Sequence, residues 1–398
     1  MLDALASLRA DLARRHQSAR EAKTQAQAVR QLIEQRCPPA WLALPALQSA
    51  LGAAWRDLGL FEEARGAYLS AIQSDDRSGR VPIRDIERLA DLESLLGEDR
   101  ADEALIRGAL DRLQQLDRLV SSADAACANP SRCALQGAVL VRLASVQARR
   151  VLAPGASTQS VASAGAAMRE TLVQATRALR RAEGAPGQTR FEPALALDRL
   201  ALDALTPWSG RVERDAALAL DQQCARAADE ALRRDGGFAS ALLQPEALLV
   251  AAQLDESLAK PGDAGRAAFE PIAAAYREVL ADFSLRPGDL DAVLTKLVVT
   301  SRLHDALAVV FSTETQPRAA SQAAGHQRIA DRLLEIADLL QPGSGRRDDR
   351  PVDGVRPAPA TPASGRSAAR KKPAAGRKHA PAKARKTASA KVTAKRPR

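Results

Sequence analysis

The sequence predicts an all-α protein, and its composition and its residue patterning support this class independently. The chain has 398 residues, of which 46% belong to the apolar set and only 3% are aromatic; Ala and Leu dominate, while Val and Ile are sparse. Ala and Leu are strong helix formers, whereas strands favour β-branched and aromatic residues. Apolar residues also recur at intervals of three and four, between segments rich in Gly and Pro, as in short helices joined by turns.

The length of the chain favours a repeat array over one compact domain. A single hydrophobic core rarely organises more than about 250–300 residues. In an array, each unit packs only against its neighbours, so length is not limited in this way. We therefore expect an all-α solenoid of about a dozen helices, packed as successive helical hairpins.

The clearest unit of this array covers residues 45–78. Its first helix has one apolar face, formed by Leu44, Leu47, Leu51, Trp55 and Leu58. After a break at Gly59, a second helix has another, formed by Phe61, Ala64, Tyr68, Ala71 and Ile72. Two short helices joined by a glycine turn pack as an antiparallel hairpin. We expect close backbone approach at Gly52, Ala64 and Ala71, with Trp55, Phe61 and Tyr68 filling the space towards the next hairpin.

This spacing resembles the tetratricopeptide repeat, in which Leu-Gly, three aromatic positions, a further Gly and two Ala stand at fixed offsets. The matching positions are Leu51, Gly52, Trp55, Gly59, Phe61, Ala64, Tyr68 and Ala71. Two positions depart from the family: Gln48 replaces a large apolar residue, and Asp76 replaces the closing Pro. An unrelated helical hairpin is the alternative. The resemblance implies an array that binds a protein partner along the first helix of each pair.

Residues 51–208 also resemble bacterial tetratricopeptide proteins that are encoded with, or fused to, caspase-like CHAT peptidases. The likeness lies in Leu/Ala-rich helical segments at residues 86–93, 104–113, 135–144 and 195–200. The chain has no α/β pattern that would house the peptidase itself. The resemblance therefore implies the scaffold half of such a system, with a CHAT-type peptidase or another effector as its partner.

Further helical segments are expected on both sides of the clear repeat. An N-terminal helical segment covers residues 1–44, and the tetratricopeptide-like array extends over residues 45–342. Gly97 is expected at the turn of the first downstream pair. The downstream helices are predicted at residues 82–96, 101–120, 134–152, 166–182, 192–208, 212–234, 239–259, 267–283, 289–309 and 319–340.

The charge of the chain is concentrated at its C-terminal end. The formal net charge is +10, yet residues 354–398 alone contain 14 Lys and Arg and no Asp or Glu. The other residues contain 44 basic and 48 acidic side chains, a net charge of −4. Contact with a polyanion is therefore expected from the tail and not from the helical array.

Residues 343–398 are expected to be a disordered basic tail, since beyond Asp353 only Val355 and Val392 are large aliphatic residues and no aromatic residue occurs. The composition resembles the Lys/Ala/Pro-rich tails of linker histones and bacterial histone-like proteins. A flexible polycation binds nucleic acid by displacing counterions, with little sequence preference. Other polyanions compete on similar terms, and a merely solubilising tail is the alternative. The candidate polyanion-binding residues are Arg370, Lys371, Lys372, Arg377, Lys378, Lys383, Arg385, Lys386, Lys391, Lys395, Arg396 and Arg398.

No sequence signature of enzymatic chemistry occurs. The phosphate-binding loop, the dinucleotide fingerprint, H-E-x-x-H, C-x-x-C and the G-x-S-x-G elbow are all missing. Four widely separated histidines, His16, His304, His326 and His379, lack metal-ligand spacing. We predict a protein that is not an enzyme and that has no cofactor or metal. A Cys–His dyad of Cys224 or Cys37 with His304 is the remaining alternative.

Cysteine usage and hydropathy favour a cytoplasmic, bacterial-type protein. Cys37, Cys127, Cys133 and Cys224 do not make a disulfide framework in a chain of this length, although Cys127 and Cys133 are close enough in sequence to pair. The N-terminus lacks the apolar stretch of a signal peptide, and no apolar run approaches the roughly 18 residues of a membrane span.

The expected function is that of a scaffold or adaptor. In the clear repeat, the positions that usually face the binding groove are occupied by Ser49, Ala53, Arg56 and Asp57. Arg56 has the planar fork that binds a carboxylate of a partner, while a simple surface pairing of Arg56 with Asp57 is the alternative. The rival hypothesis is a nucleoid- or RNA-associated protein that binds nucleic acid through its tail.

Overall fold

A computed structural model describes residues 19–77, 79–120, 129–183, 192–205, 211–283, 285 and 289–341. The chain divides into two units, Met1–Asp348 and Asp349–Arg398, and all described residues belong to the first. The predicted polyanion-binding residues 370–398 lie outside the described residues. So does Cys127, and its pairing with Cys133 stays an alternative to two unpaired thiols.

The all-α prediction is confirmed for the described residues, which form thirteen α-helices, two short 3₁₀ helices and no strand. The 3₁₀ helices are Pro39–Ala43 and Ser257–Ala259. The α-helices are α1 (Ala19–Arg36), α2 (Pro45–Asp57), α3 (Phe61–Arg77), α4 (Ile83–Asp99), α5 (Glu103–Val120), α6 (Pro130–Val151), α7 (Thr158–Glu183), α8 (Pro193–Leu205), α9 (Arg211–Asp235), α10 (Phe238–Leu254), α11 (Gly262–Asp282), α12 (Asp289–Ser312) and α13 (Ala319–Leu340).

The hairpin of α2 and α3 forms as its residue pattern predicts. Gly59 adopts a φ of 73°, a left-handed conformation that glycine tolerates and most residues avoid. Gly52 lies directly against the ring of Tyr68, where an added Cβ would approach the ring to 2.6 Å. Trp55 and Tyr68 are buried, whereas Phe61 remains 37% exposed. Phe61 therefore does not fill the space between hairpins as expected, because it is the first residue of α3 and borders the turn.

The turn between α4 and α5 lies further along the chain than its sequence indicates. Gly97 is inside α4, and the chain reverses at residues 100–102, where Ala101 has a φ of 54°. A Cβ at position 97 would come within 2.5 Å of Ile106 on α5. Gly97 is thus required for the close packing of α4 on α5 and does not end α4. It lies within the helix and not at the turn where it was expected.

The helices pack in chain order around four hydrophobic cores. The first core joins α1 to α4, and the second joins α4 to α8 with α12 and the start of α13. The third core joins α8, α9 and α10, and the fourth joins α10 to α13. The α9 helix packs more extensively on α10 than on α8, so the hairpin here is α9–α10.

The C-terminal hairpin adds contacts that a strictly linear array does not have. The α12 helix packs against α6, α7 and α8, from which it is separated by at least three helices along the chain. Lys296 on α12 reaches Asp198 on α8 (Nζ to Oδ1, 2.8 Å) and Glu246 on α10 (Nζ to Oε1, 3.0 Å). Arg169 on α7 binds Glu314 beyond the end of α12 (Nη2 to Oε1, 2.5 Å). We call this packing the α12 closure.

The α12 closure brings a side chain of α12 so close to the backbone of α7 that only glycine fits at one position. A Cβ at Gly165 on α7 would lie 2.6 Å from Cγ2 of Val310 on α12. Valine is rigid about its first side-chain torsion in a helix, so this methyl group has little freedom to move away. Gly165 therefore serves the contact with α12, although glycine by itself weakens a helix.

We predict that Gly165→Ala lowers the free energy of unfolding by about 1–2 kcal/mol, since overpacking outweighs the gain in helix propensity. The matched control is Gly108→Ala on α5, where an added Cβ meets nothing within 4 Å. That control should raise stability by about 0.5–1 kcal/mol. Urea denaturation measures both, and Val310→Ala should rescue Gly165→Ala. Equal effects of the two Gly→Ala changes would contradict the α12 closure.

Candidate protein-binding surface

Three helices, α2, α4 and α6, are joined by a row of polar side chains that we call the arginine surface. Positions 85, 88 and 91 lie three residues apart on α4, so their side chains project from the same side of the helix. They meet side chains from α2 on one side and from α6 on the other. The arginine surface consists of Ser49, Arg56, Asp85, Arg88, Asp91 and Arg142.

At one end of the arginine surface, Ser49 connects α2 to α4. Its hydroxyl donates to Oδ1 of Asp85 over 2.5 Å and accepts from Nη1 of Arg88 over 3.2 Å. Asp85 is buried, while the side chain of Arg88 is 38% exposed. The guanidinium of Arg88 is therefore held by Ser49 on α2 and lies near Asp85 on α4, while its side chain stays partly open to solvent.

At the other end, Asp91 binds two arginines from two different helices. Arg56 on α2 donates to Oδ2 over 2.5 Å, and Arg142 on α6 donates to Oδ1 over 2.8 Å and to the hydroxyl of Ser94. Burial alone would raise the pKa of Asp91, but the charges and hydrogen bonds of Arg142 and Arg56 outweigh it and lower that pKa. Asp91 is thus an ionised bridge that fixes α2, α4 and α6 relative to one another.

The structure brings Ser49 and Arg56, two of the residues predicted from sequence, onto this one surface. Arg56 does not pair with Asp57 here but with Asp91, and its side chain is 36% exposed. Asp57 is exposed at the last residue of α2. Ala53 is buried and offers nothing to a partner. Each guanidinium has five N–H donors, so Arg56 and Arg88 keep donors beyond those used within the chain.

Sequence reasoning missed Arg88, Asp91 and Arg142. A signal existed on α4, since Asp85, Arg88 and Asp91 repeat at helical spacing. That signal does not tell which helix lies opposite. Only the packing of α6 beside α4 assigns Arg142 to the same carboxylate as Arg56.

Two buried charges hold the helices around this surface. The carboxylate of Glu93 on α4 accepts from Arg65 on α3 and from Arg112 on α5, both over 3.0 Å. The guanidinium of Arg132 at the start of α6 donates to Glu87 over 3.0 Å and to Asp117 over 2.7 Å. A buried charge is tolerated only when it is paired, so these contacts fix the register of consecutive hairpins.

The thiols and the imidazole of the predicted Cys–His dyad lie in different parts of the fold. Cys37 lies in the core of α1 to α4 and Cys224 in the core of α8 to α10, where burial raises the pKa of the Cys224 thiol to about 12. Nδ1 of His304 instead lies 2.7 Å from Nδ1 of His326, whose ring stacks on Phe311. Burial holds the pKa of His304 well below its usual range and that of His326 at about 4. Neither thiol forms a dyad with His304.

The carboxylate of Asp221 is buried, and no neighbouring group offsets the cost of that burial. Asp221 on α9 is 4% exposed, and its Oδ1 has no hydrogen-bond partner among the described residues. Burial disfavours the charged form and raises the pKa of Asp221 to about 7. The folded chain therefore binds a proton here over a pH range in which the unfolded chain does not.

Comparison with known proteins assigns no family. No family model matches the sequence, and no curated protein matches it significantly. Within the described part of the chain, no helix is both long enough and apolar enough to cross a membrane. The same residues contain no group of three or more His, Cys, Asp or Glu placed to hold a metal ion.

We predict that Asp221→Asn stabilises the protein more at pH 8 than at pH 5. Because the folded-state pKa is raised above the unfolded value of 3.8, the stability present at acid pH is lost as the pH rises towards about 7. The difference in free energy of unfolding between Asp221→Asn and the parent should be about 2–3 kcal/mol larger at pH 8 than at pH 5, measured by urea denaturation. Asp229→Asn, an exposed change on the same helix, is the control. A gap independent of pH would contradict the assignment.

Proposed function

We propose that this chain is a non-enzymatic scaffold or adaptor that binds a protein partner through its helical hairpins, while its basic tail adds contact with a polyanion. The arginine surface carries this proposal. Arg56 and Arg88 are each anchored by contacts within the chain and are each more than a third exposed. Arginine forks that are held in place before binding lose little side-chain freedom when a partner's carboxylate arrives.

A tetratricopeptide-type array and a CHAT-type peptidase partner are part of the same proposal. The support for the array is the hairpin of α2 and α3, with Gly59 in its turn and with Gly52 against Tyr68. The support for the peptidase partner is the sequence resemblance alone. A cytoplasmic, bacterial-type setting is included because cysteine usage favours it.

We predict that Arg88→Ala weakens capture of a partner by about ten- to thirtyfold, the effect of removing an arginine that is central to an interface. The control is Arg118→Ala, an exposed arginine on α5 outside the arginine surface. Immobilised protein and quantitative mass spectrometry of the captured proteins measure the effect. A variant ending at Asp348 should capture the same partners as the full chain. Loss of all partners on removing the tail would refute the proposal.

A second candidate function is non-specific binding of nucleic acid through the tail. It is favoured by the 14 Lys and Arg of residues 354–398, which are accompanied by no acidic residue. Such a segment gains free energy by releasing counterions from a nucleic acid backbone. In this version the helical array organises the protein on the polyanion, and the tail carries the affinity.

We predict that the full chain shifts double-stranded DNA and RNA in a gel at low salt and that the variant ending at Asp348 does not. The logarithm of affinity should fall linearly with the logarithm of salt concentration, with a slope of about −0.9 per phosphate neutralised on duplex DNA. Unrelated sequences should bind alike. Failure of the full chain to shift either nucleic acid at low salt would remove this second function and leave partner binding through the helical hairpins untouched.

A further inference from the structure

Arg302 on α12 is a partly buried arginine that forms no hydrogen bond and no ion pair with any described residue. The other partly buried arginines in the described part of the chain pair with a carboxylate or donate to a backbone carbonyl, as Arg169 does with Glu314. None of the nitrogen atoms of Arg302 is sealed from solvent. All five N–H donors of its guanidinium are therefore available to a ligand.

A second arginine lies beside Arg302. Burial and the charge of Arg149 on α6 lower the pKa of Arg302. Among the described residues, Arg149 makes a single hydrogen bond, from Nη1 to the backbone oxygen of Asp99 over 3.5 Å, and its Nη2 is open to solvent. Two guanidinium groups with spare donors thus repel each other where α12 packs against α6. We call Arg149 and Arg302 the closure arginines.

The carboxylates near the closure arginines offset this repulsion only in part. Glu98 at the end of α4 is 6% exposed and attracts both arginines without forming an ion pair with either. Burial raises the pKa of Glu98 in spite of these charges, so its ionised form is itself disfavoured. The side chain of Asp99 is exposed and pairs with neither arginine. The closure arginines therefore carry positive charge that the folded chain does not fully compensate.

The closure arginines lie on the same side of the helices as the arginine surface. Asp91 on α4 binds Arg142 on α6, and seven residues later along both helices Glu98 attracts Arg149. Residues seven positions apart share a face of a helix and lie about 10 Å apart along its axis. The two sites thus belong to one continuous polar surface, which the α12 closure extends from α6 to α12.

The distance between the two sites suits an extended peptide. Arg88 and Glu98 are ten residues apart on α4, which corresponds to about 15 Å along the helix. An extended chain covers this distance in about five residues. The planar guanidinium fork matches a carboxylate, so an acidic segment is the complementary occupant. The chain's own tail is not, because residues 354–398 contain 14 Lys and Arg and no acidic residue.

We propose that Arg149 and Arg302 together bind a carboxylate in an acidic peptide segment of the partner, about five extended residues from the carboxylate that Arg88 binds. This rests on the proposed function, because the ligand is the partner of the arginine surface. The bound carboxylate removes the repulsion between α6 and α12. Partner binding therefore stabilises the α12 closure, and the closure in turn completes the binding surface.

The first test needs no ligand. Arg302→Met keeps an aliphatic stem and removes the charge, so it should raise the melting temperature of the full chain at low salt by about 2–4 °C. Arg277→Met on α11 removes the same charge from an exposed position and should change the melting temperature by less than about 1 °C. An unchanged or lowered melting temperature in Arg302→Met would overturn the proposal.

The second test measures binding of two labelled peptides of identical composition by fluorescence anisotropy. One peptide carries two pairs of Glu separated by five residues, and the other carries the four Glu in one run. The basic tail of the full chain should bind both alike, since it responds to charge and not to sequence. The parent should prefer the spaced peptide about tenfold, Arg302→Met should lose this preference, and Arg277→Met should keep it.

Arg88→Ala separates this proposal from the function on which it rests. Loss of the preference in Arg88→Ala but not in Arg302→Met would leave the scaffold function standing and refute the role of the closure arginines. Loss in Arg302→Met but not in Arg88→Ala would support the closure arginines and count against binding at the arginine surface. Equal affinity of the parent for both peptides would also refute the proposal. If Arg302→Met does not fold, Arg149→Met decides by the same measurements.

Discussion

The α12 closure is the constraint on which the rest of the helical unit depends. In a linear array each hairpin is held only by its neighbours, and the position of any one helix follows from the sum of local contacts. Here α12 contacts α6, α7 and α8 directly, so the middle hairpin is held from two directions. The position of α6 sets that of Arg142, which holds Asp91 and through it Arg56. The arginine surface is therefore positioned by a contact made elsewhere in the unit.

Charge pairs supply the specificity that an Ala/Leu-rich core lacks. Small aliphatic side chains bury area effectively, but many registers of two such helices bury similar amounts. A buried ion is less tolerant, because a shift of one turn separates it from its partner and leaves it uncompensated. Glu93 and Arg132 each bind two partners on different helices. These four ion pairs select one register among the many that the apolar surface would accept.

Local patterns in the sequence predict the hairpins well and their partners poorly. The helix class, the turn at Gly59 and the contact of Gly52 with the α3 helix follow from residue spacing, since all are interactions between residues close in the chain. Gly97 was misplaced because a glycine that permits close packing and a glycine that ends a helix look the same in sequence. The pairing of Arg56 and Arg142 on Asp91 depends on three helices meeting, which spacing within one helix does not encode.

The α12 closure also has a consequence for how the chain is made. Gly165 and Val310 are separated by 145 residues, as are Arg169 and Glu314. A ribosome adds about 5–20 residues per second, so the face of α7 that receives α12 waits roughly 7–30 s for its partner. During that interval the nascent chain carries an uncovered apolar surface, and the last hairpin to emerge is the one that covers it. Synthesis order thus leaves this face of α7 uncovered until the hairpin of α12 and α13 emerges, an interval in which a chaperone can protect it.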